Sequence, residues 1–552
     1  MFGGSAFGEF AFSEQDHVEA DDSAFRAFLA RVSAPRCWLL EIDALSLAAA
    51  PAVSGGFGGG AFGSVAYGDD VAGVTVGAMT LRWSTHGYTT ARADTPASTF
   101  YDGRLTGDFT VDRAIVGRDG IGGLSRVFAE VVLSNADGGL DALLRDYAID
   151  GRAVRLLVGD ADAAYSTFGT VFAGVVESAG ITEGAARIRC TDGLSKLALP
   201  IQETLYAGTG GLEGGADLKG KPKPLCYGAV KNITPPLVDA ANLIYQVHAG
   251  AITDVTAVRD RGVALTRVLG APAAGQYQPV LATGTFKLGA SPAGEITADV
   301  QGDTPAAGGY TEHAGQIVQR ILATRLTTSE IDTTAFANLY SALAAEVGIW
   351  IGTEITLVTD VLNELLDGVG AFGGFTRQGV FTIGRVAAAA GTPDLALDGA
   401  DILAIEREPL PAPLEPVCWR VQVGWGKNYT VQPDVAALTA NADRTFAAQP
   451  MRVAVDSDAA IKSQHLLARD YGPVPALYRD EADALTEADR LFLLWGTRRA
   501  QYRVQTHIEG MLVDLGQVVQ LTHSRHLLDT GRAARVIGQS IRGARVELRV
   551  IV

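Results

Sequence analysis

The sequence predicts a mainly β, α+β multidomain protein, with two similar antiparallel β-barrel or sandwich domains flanking an inserted β domain and a small α+β domain. Three observations lead there. One β pattern occurs twice, at residues 150–156, 170–174 and 186–190 and again at 515–521, 534–538 and 545–550. Each copy has a turn glycine (Gly151, Gly516), a strand, a second glycine about 22 residues on (Gly174, Gly538) and a closing strand, spacing that suits antiparallel hairpins. The 65 glycines, beside 47% hydrophobic and 19% charged residues, fit folded domains with many turns and bulged strands. At 552 residues the chain exceeds what one hydrophobic core holds.

Residues 1–75 open with a Gly/Phe arm, Phe2-Gly-Gly-Ser-Ala-Phe-Gly-Glu-Phe, echoed by Gly55-Gly-Phe-Gly-Gly-Gly-Ala-Phe-Gly-Ser. Between these arms the pattern predicts a short amphipathic helix over 23–32 and a strand over 36–45. Residues 76–205 alternate short apolar runs with turn signals, at 77–83, 105–111 and 126–135, then give a helical turn over 140–147 before the first copy of the repeat. Residues 206–310 are expected to be an irregular linker up to about 250 and then a β insertion, with a hairpin over 255–265 and a strand over 294–303. In 311–395 the period changes to helical. Ile317, Ile321 and Leu322 share one face, Phe336, Leu339, Tyr340, Leu343 and Val347 another, and a third helix over 358–366 leads to a strand over 379–386.

Residues 396–552 begin with Asp401-Ile-Leu-Ala-Ile-Glu-Arg-Glu, followed by a stiff link containing Pro409, Pro411, Pro413 and Pro416. A strand over 419–425 follows, then one helix over 481–498 with Leu485, Ala488, Leu491, Phe492 and Trp495 as its apolar face. The last strand alternates, Val546, Leu548, Val550 and Val552 on one side and Arg545, Glu547 and Arg549 on the other.

Composition and motifs exclude several function classes. The formal charge of -17 disfavours tight nucleic-acid binding by the surface as a whole, although nine arginines fall between Arg498 and Arg549. Those arginines are expected either to meet acidic neighbours or to form the solvated face of strands. Asp, Arg or Gly interrupts every apolar run short of the roughly 20 residues that cross a bilayer, so no stable membrane insertion is expected. The N-terminus lacks the basic and apolar regions of a signal peptide, so synthesis in a cytoplasm is expected.

Cys37, Cys190, Cys226 and Cys418 lack metal-binding or disulfide-framework spacing and read as buried thiols. The Gly-rich stretch 208–215 ahead of Lys219 and Lys221 fails the phosphate-loop pattern, because Pro222 follows Lys221. His523 and His526 read as a solvated turn rather than a metal site. Acidic pairs such as Asp69-Asp70 and Asp480-Glu481 single out no catalytic dyad. The expectation is therefore no catalytic, cofactor-binding or metal residues, no cofactor, and no enzyme activity.

The passages Gly151-Arg-Ala-Val-Arg-Leu-Leu-Val-Gly, Phe168-Gly-Thr-Val-Phe-Ala-Gly-Val-Val-Glu, Arg187-Ile-Arg-Cys-Thr-Asp and Leu199-Pro-Ile-Gln resemble the tube-like β domains of phage tail proteins. Tyr206-Ala-Gly-Thr-Gly-Gly-Leu-Glu-Gly, Lys219-Gly-Lys-Pro-Lys-Pro-Leu-Cys-Tyr-Gly and Thr297-Ala-Asp-Val-Gln-Gly-Asp are similar to tail-tip or baseplate hub proteins of long-tailed phages and gene transfer agents. Gly516-Gln-Val-Val-Gln-Leu with Arg535-Val-Ile-Gly is similar to the closing domain of those hubs. The resemblance runs from about residue 76 onward.

It implies a structural virion protein at the tail tip, a homotrimeric hub in which 76–205 and 396–552 are two tube-like domains. Three chains would present six such domains to a six-fold tail tube and adapt it to a three-fold tip. The partners it implies are the tail tube or a distal tail ring and other tip or fibre proteins, with DNA passing transiently through the lumen. The alternatives are a tail-tip cell-wall-degrading enzyme, a related hub of a contractile injection or secretion system, and a receptor-binding tip or central-fibre module.

Overall fold

The structure is a computed structural model. It describes residues 22–31, 35–47, 77–117, 120–305, 308–410 and 415–552. Both Gly/Phe arms, the Asp69-Asp70 pair and residues 411–414 of the proline link lie outside the described residues.

Strand predominates, and the repeated pattern is an antiparallel meander built twice. In the first unit its strands are Ala153–Asp160, Gly169–Ile181 and Ala185–Thr191; in the second they are Val518–His523, Leu528–Arg542 and Arg545–Ile551. The correspondence extends to single hydrogen bonds. Gly151 N donates to Val176 O at 2.8 Å and Gly516 N to Val536 O at 2.8 Å, while Val176 N reaches Arg152 O and Val536 N reaches Gln517 O, both at 2.9 Å. Both turn glycines have positive φ, 69° at Gly151 and 82° at Gly516, where a side chain is strained.

The middle strand of each meander carries a β-bulge at the same point. The pairing Val176↔Cys190 then Ser178↔Arg189 recurs as Val536↔Val550 then Gly538↔Arg549, 360 positions downstream. A bulge shifts the pleat by one residue, so the half of the strand beyond it presents the opposite hydrogen-bonding phase.

Two more strands complete each unit in the same order. Ala185–Thr191 pairs with Val127–Ser134, which pairs with Thr110–Ala114. Likewise Arg545–Ile551 pairs with Gln501–Thr506, which pairs with Ile402–Glu408. A short helix stands before each meander, Leu143–Asp146 in one unit and the 3₁₀ turn Ile508–Leu512 in the other.

The two units are one continuous sheet of 14 strands. Thr110–Ala114 of the first unit pairs antiparallel with 538–542 of the second. One core lies beneath both units. Val111, Ile188 and Leu156 pack in it with Val504, Val536 and Leu548, and every one of these is nearly inaccessible to solvent. The strand expected over 36–45 is Arg36–Ser46, and it pairs with both Ala153–Asp160 and Ala78–Ser84 at the outer end of this sheet. The helix Asp22–Leu29 docks on the same core through Phe25, Phe28 and Leu29. Gly169 is required beneath it, since a Cβ there would stand 2.3 Å from the Phe25 ring.

The intervening chain forms separate layers. One five-stranded sheet contains Ile252–Asp260, Ile296–Asp303, Leu225–Ile233 and Gly348–Ile351 and buries Val230, Val255 and Val300. The strand Leu225–Ile233 occupies chain expected to be irregular; Gly228 at φ 66° interrupts its alternation and hid it. The helices Ala314–Leu322, Thr333–Ala342 and Val358–Gly368 share the largest core with Glu481–Trp495. Val347 does not continue the face of Thr333–Ala342. The helix ends five residues earlier, and Val347 leads into the strand Gly348–Ile351.

Between Ile402–Glu408 and Gln501–Thr506 the chain leaves the large sheet. It makes a three-stranded one of Arg452–Ser457, Cys418–Trp425 and Arg469–Val474, and the helix expected there, Glu481–Trp495, is joined by Asn441–Ala447 and Ala459–Gln464. The buried face of Glu481–Trp495 is also rotated from the expected one. Ala484, Glu487, Ala488, Leu491 and Leu494 are buried while Leu485 is 42% exposed. The cause is Glu487, a charged residue held in the core by Arg385 and by Arg490, whose Nη2 lies 2.6 Å away.

Candidate functional site: the junction between the two units

The alternation of Thr110–Ala114 puts Val111 and Arg113 on its core face. Arg113 thus enters the core at the seam between the units and is buried there. Its Nε and Nη2 donate to Gln539 Oε1 at 2.9 and 2.6 Å, and its Nη1 donates to Asp514 Oδ1 at 2.6 Å. Gln539 in turn donates from Nε2 to Gly510 O at 3.0 Å and Val513 O at 2.9 Å. Burial pulls the Arg113 pKa below its usual value, opposed by the Asp514 charge. A cation in this position joins residues more than 400 apart in sequence and makes the seam specific in register.

On the opposite, solvated face of the sheet, Ser540 Oγ donates to Asp112 across the same seam. A groove of about 420 Å³ runs there, lined by Asp112, Arg126, Phe128, Arg542, Glu547 and Arg549. This face interleaves the two signs of charge. Arg187 and Arg189 reach Glu130 at 3.0 and 3.5 Å, and Arg503 reaches Glu408 at 3.1 Å and Glu547 at 3.6 Å. Arg503 and Arg549 of the last region therefore meet acids on their own sheet, whereas Arg535 donates to the carbonyls of Ala387 and Ala388.

The residues weighed from sequence are dispersed. All four cysteines are free and buried, and burial raises each thiol, to about 12 at Cys190, so the nucleophilic thiolate is scarce. His523 Nδ1 accepts from Arg525 N at 3.2 Å in the turn, and His526 stacks edge-on against Tyr502. Among the described residues no group of three or more His, Cys, Asp or Glu is placed to hold a metal ion. The Gly-rich stretch forms one 3₁₀ turn, Gly211–Glu213, beside an open groove of about 500 Å³ that Asp217, Lys221 and Trp350 help line. Asp480 and Asp483 sit at the start of Glu481–Trp495, with Asp480 3.4 Å from Arg479.

Sequence reasoning did not find Arg113, Gln539 or Asp514. The signal was available in the two-residue period of Phe109, Val111 and Arg113, which puts an arginine in phase with a core face.

No protein-family model matches the sequence, and a search of curated proteins returns no match. Solved structures do align with it. A tail protein from Neisseria meningitidis MC58 is 10% identical, with 82% of this chain and 93% of that one covered and a TM-score of 0.38. The 43 kDa tail protein of prophage MuSo2 from Shewanella oneidensis is 10% identical, with 82% and 96% covered and a TM-score of 0.36. A chain in the virion of a native gene transfer agent particle is 14% identical, with 60% and 84% covered and a TM-score of 0.38.

Proposed function

We propose that the chain is a structural virion protein, the homotrimeric hub of a phage-like tail tip, which adapts a six-fold tail tube to a three-fold tip and forms part of the DNA exit channel. The observation that carries this reading is the five-stranded unit built twice and fused edge to edge, 76–205 and 396–552 each supplying one. A ring of identical units needs the same edge-to-edge contact at every step. A chain that makes one such contact internally covers two steps, so three chains supply six units and repeat with three-fold symmetry. The sequence resemblance from residue 76 onward supports the same assignment.

The solvated face of the sheet suits a conduit. Arg187, Arg189 and Arg503 there are bridged to glutamates, which lowers the positive charge available to retain a polyanion. The partners of this reading are the tail tube or a distal tail ring, and other tip and fibre proteins. Native mass measurement of the purified protein, with cryo-EM of the particle, tests it. A three-chain ring is the expected result, and a chain that stays monomeric at all concentrations and with tail partners present refutes it.

A further inference from the structure

The equivalence of the two units identifies a second, unfilled copy of the internal seam. Within the chain, Thr110–Ala114 does not pair with the whole of Leu528–Arg542. It pairs only with the half beyond the bulge, 538–542, on the side where Val518–His523 pairs with the other half. The matching half of the first unit's middle strand is 178–182. It pairs with Ala185–Thr191 on one side, and no strand among the described residues pairs with its other side. Ser178 and Gly180 there are exposed. At the far end of the sheet Ile402–Glu408, which corresponds to Thr110–Ala114, pairs among the described residues with Gln501–Thr506 alone. One chain thus presents a socket at one end and the strand that fits it at the other.

Resting on the ring reading above, we propose that Ile402–Glu408 of one copy pairs antiparallel with 178–182 of a second copy, with Gly180 opposite Glu408, Ile181 opposite Arg407 and Thr182 opposite Glu406. The register follows from the ladders already described. Glu130 opposes Thr110 in the first unit, and Arg503, its counterpart, opposes Glu406 in the second, so Thr110 and Glu406 are equivalent. Thr110 faces Arg542, whose counterpart 360 positions earlier is Thr182. Asp112 faces Ser540 in the same way, which places Glu408 opposite Gly180.

The hydrogen-bonding phase also carries over. In the internal seam Ile115 N donates to Ile537 O at 3.0 Å and Gly543 N to Phe109 O at 3.4 Å, so Val111 and Ile541 form a bonded pair. Their counterparts Arg407 and Ile181 exchange both backbone bonds. Pro409 stands where the internal seam has Arg113; it accepts from Ala179 N but donates nothing, and it brings no guanidinium. The seam between chains is a shorter ladder without a buried ion, and so weaker than the seam within the chain. It is also heterologous, head to tail, the type of contact that closes into rings.

Cysteine pairs test the register. Gly180 has ordinary φ and open space where a Cβ would stand, and the four native cysteines are buried. Directly opposed residues of a non-bonded antiparallel pair have Cα atoms about 4.5 Å apart, within disulfide range. Under mild oxidation the full chain carrying Gly180→Cys and Glu408→Cys should give reducible covalent multimers on gels. Each single variant, and the slipped pairs Ala179→Cys with Glu408→Cys and Ile181→Cys with Glu408→Cys, should remain at background. Asp112→Cys with Ser540→Cys, the internal equivalent, should close within one chain and shows that the chemistry works. A multimer by native mass in which 180 and 408 link no better than the single variants overturns this register and leaves the ring standing. A protein that never multimerises refutes both.

Discussion

Arg113 offers the sharpest perturbation of the seam. Replacing it with Met keeps most of the apolar stem and removes the guanidinium that touches Gln539 and Asp514. Losing one member of a buried ion pair costs about 3–5 kcal/mol, and leaving a buried acceptor such as Gln539 Oε1 unsatisfied costs about 1–3 kcal/mol. The Asp514 side chain is 28% exposed and can rehydrate, which favours the lower end. The net expectation is about 3 kcal/mol, most of it local to the seam. Native-state hydrogen exchange should then accelerate roughly 150-fold at 110–114 and 538–542. The strand Ala153–Asp160, on the far side of the first unit, should change much less. Arg113→Lys, which keeps charge but loses the planar fork, should fall between. Acceleration of less than about threefold at the seam, or equal acceleration in Ala153–Asp160, refutes the assignment of Arg113 as a lock between units.

Three further outcomes follow from the geometry. Gly151→Ala should cost about 1–2 kcal/mol from positive φ alone, while Gly516→Ala should cost more, because its Cβ would stand 2.5 Å from the Phe372 ring; thermal unfolding of the two variants gives the comparison. Burial pulls the His248 pKa from 6.5 to about 4, and its Nδ1 accepts from Cys226 N at 2.9 Å. The fold keeps this imidazole neutral, so its contribution is full above 6.5 and is lost as pH falls toward about 4, about 3 kcal/mol in all. His248→Asn retains an acceptor and should flatten that loss, read by fluorescence of Trp350, whose Nε1 donates to Val247 O at 3.2 Å. Glu487→Gln should cost about 3–5 kcal/mol by stranding Arg385 and Arg490, with the loss of helicity on denaturant unfolding as its measure.

The repeated meander was legible in the sequence because its turn glycines and alternating strands are local signals. Gly151 and Gly516 make the same backbone hydrogen bonds that their spacing announced. How the fourth and fifth strands of each unit pair, and the seam itself, were not legible. Asp112 and Ser540 are 428 residues apart, and no motif encodes which edge meets which. Leu225–Ile233 was missed because Gly228 and the flanking prolines broke its alternation. The face of Glu481–Trp495 was misread because a paired Glu487 can be buried, which polarity alone forbids. For the site the limit was similar, since the seam rests on an arginine whose meaning depends on a partner strand far along the chain.

The seam also sets a schedule for synthesis. Thr110–Ala114 is made first, and the strand that caps its edge, Leu528–Arg542, follows about 400 residues later. At about 5–20 residues per second the 428-residue interval between Asp112 and Ser540 lasts roughly 20–90 s, and once Ala185–Thr191 is made the first unit carries an open sheet edge on the ribosome for the rest of it. Premature termination after Thr191 and before Leu528 leaves the complete set of first-unit strands with an uncovered edge rather than a harmless fragment. Arrival of the hairpin Leu528–Ile551 thus covers the edge of Thr110–Ala114 and leaves the two edges that a second copy would pair.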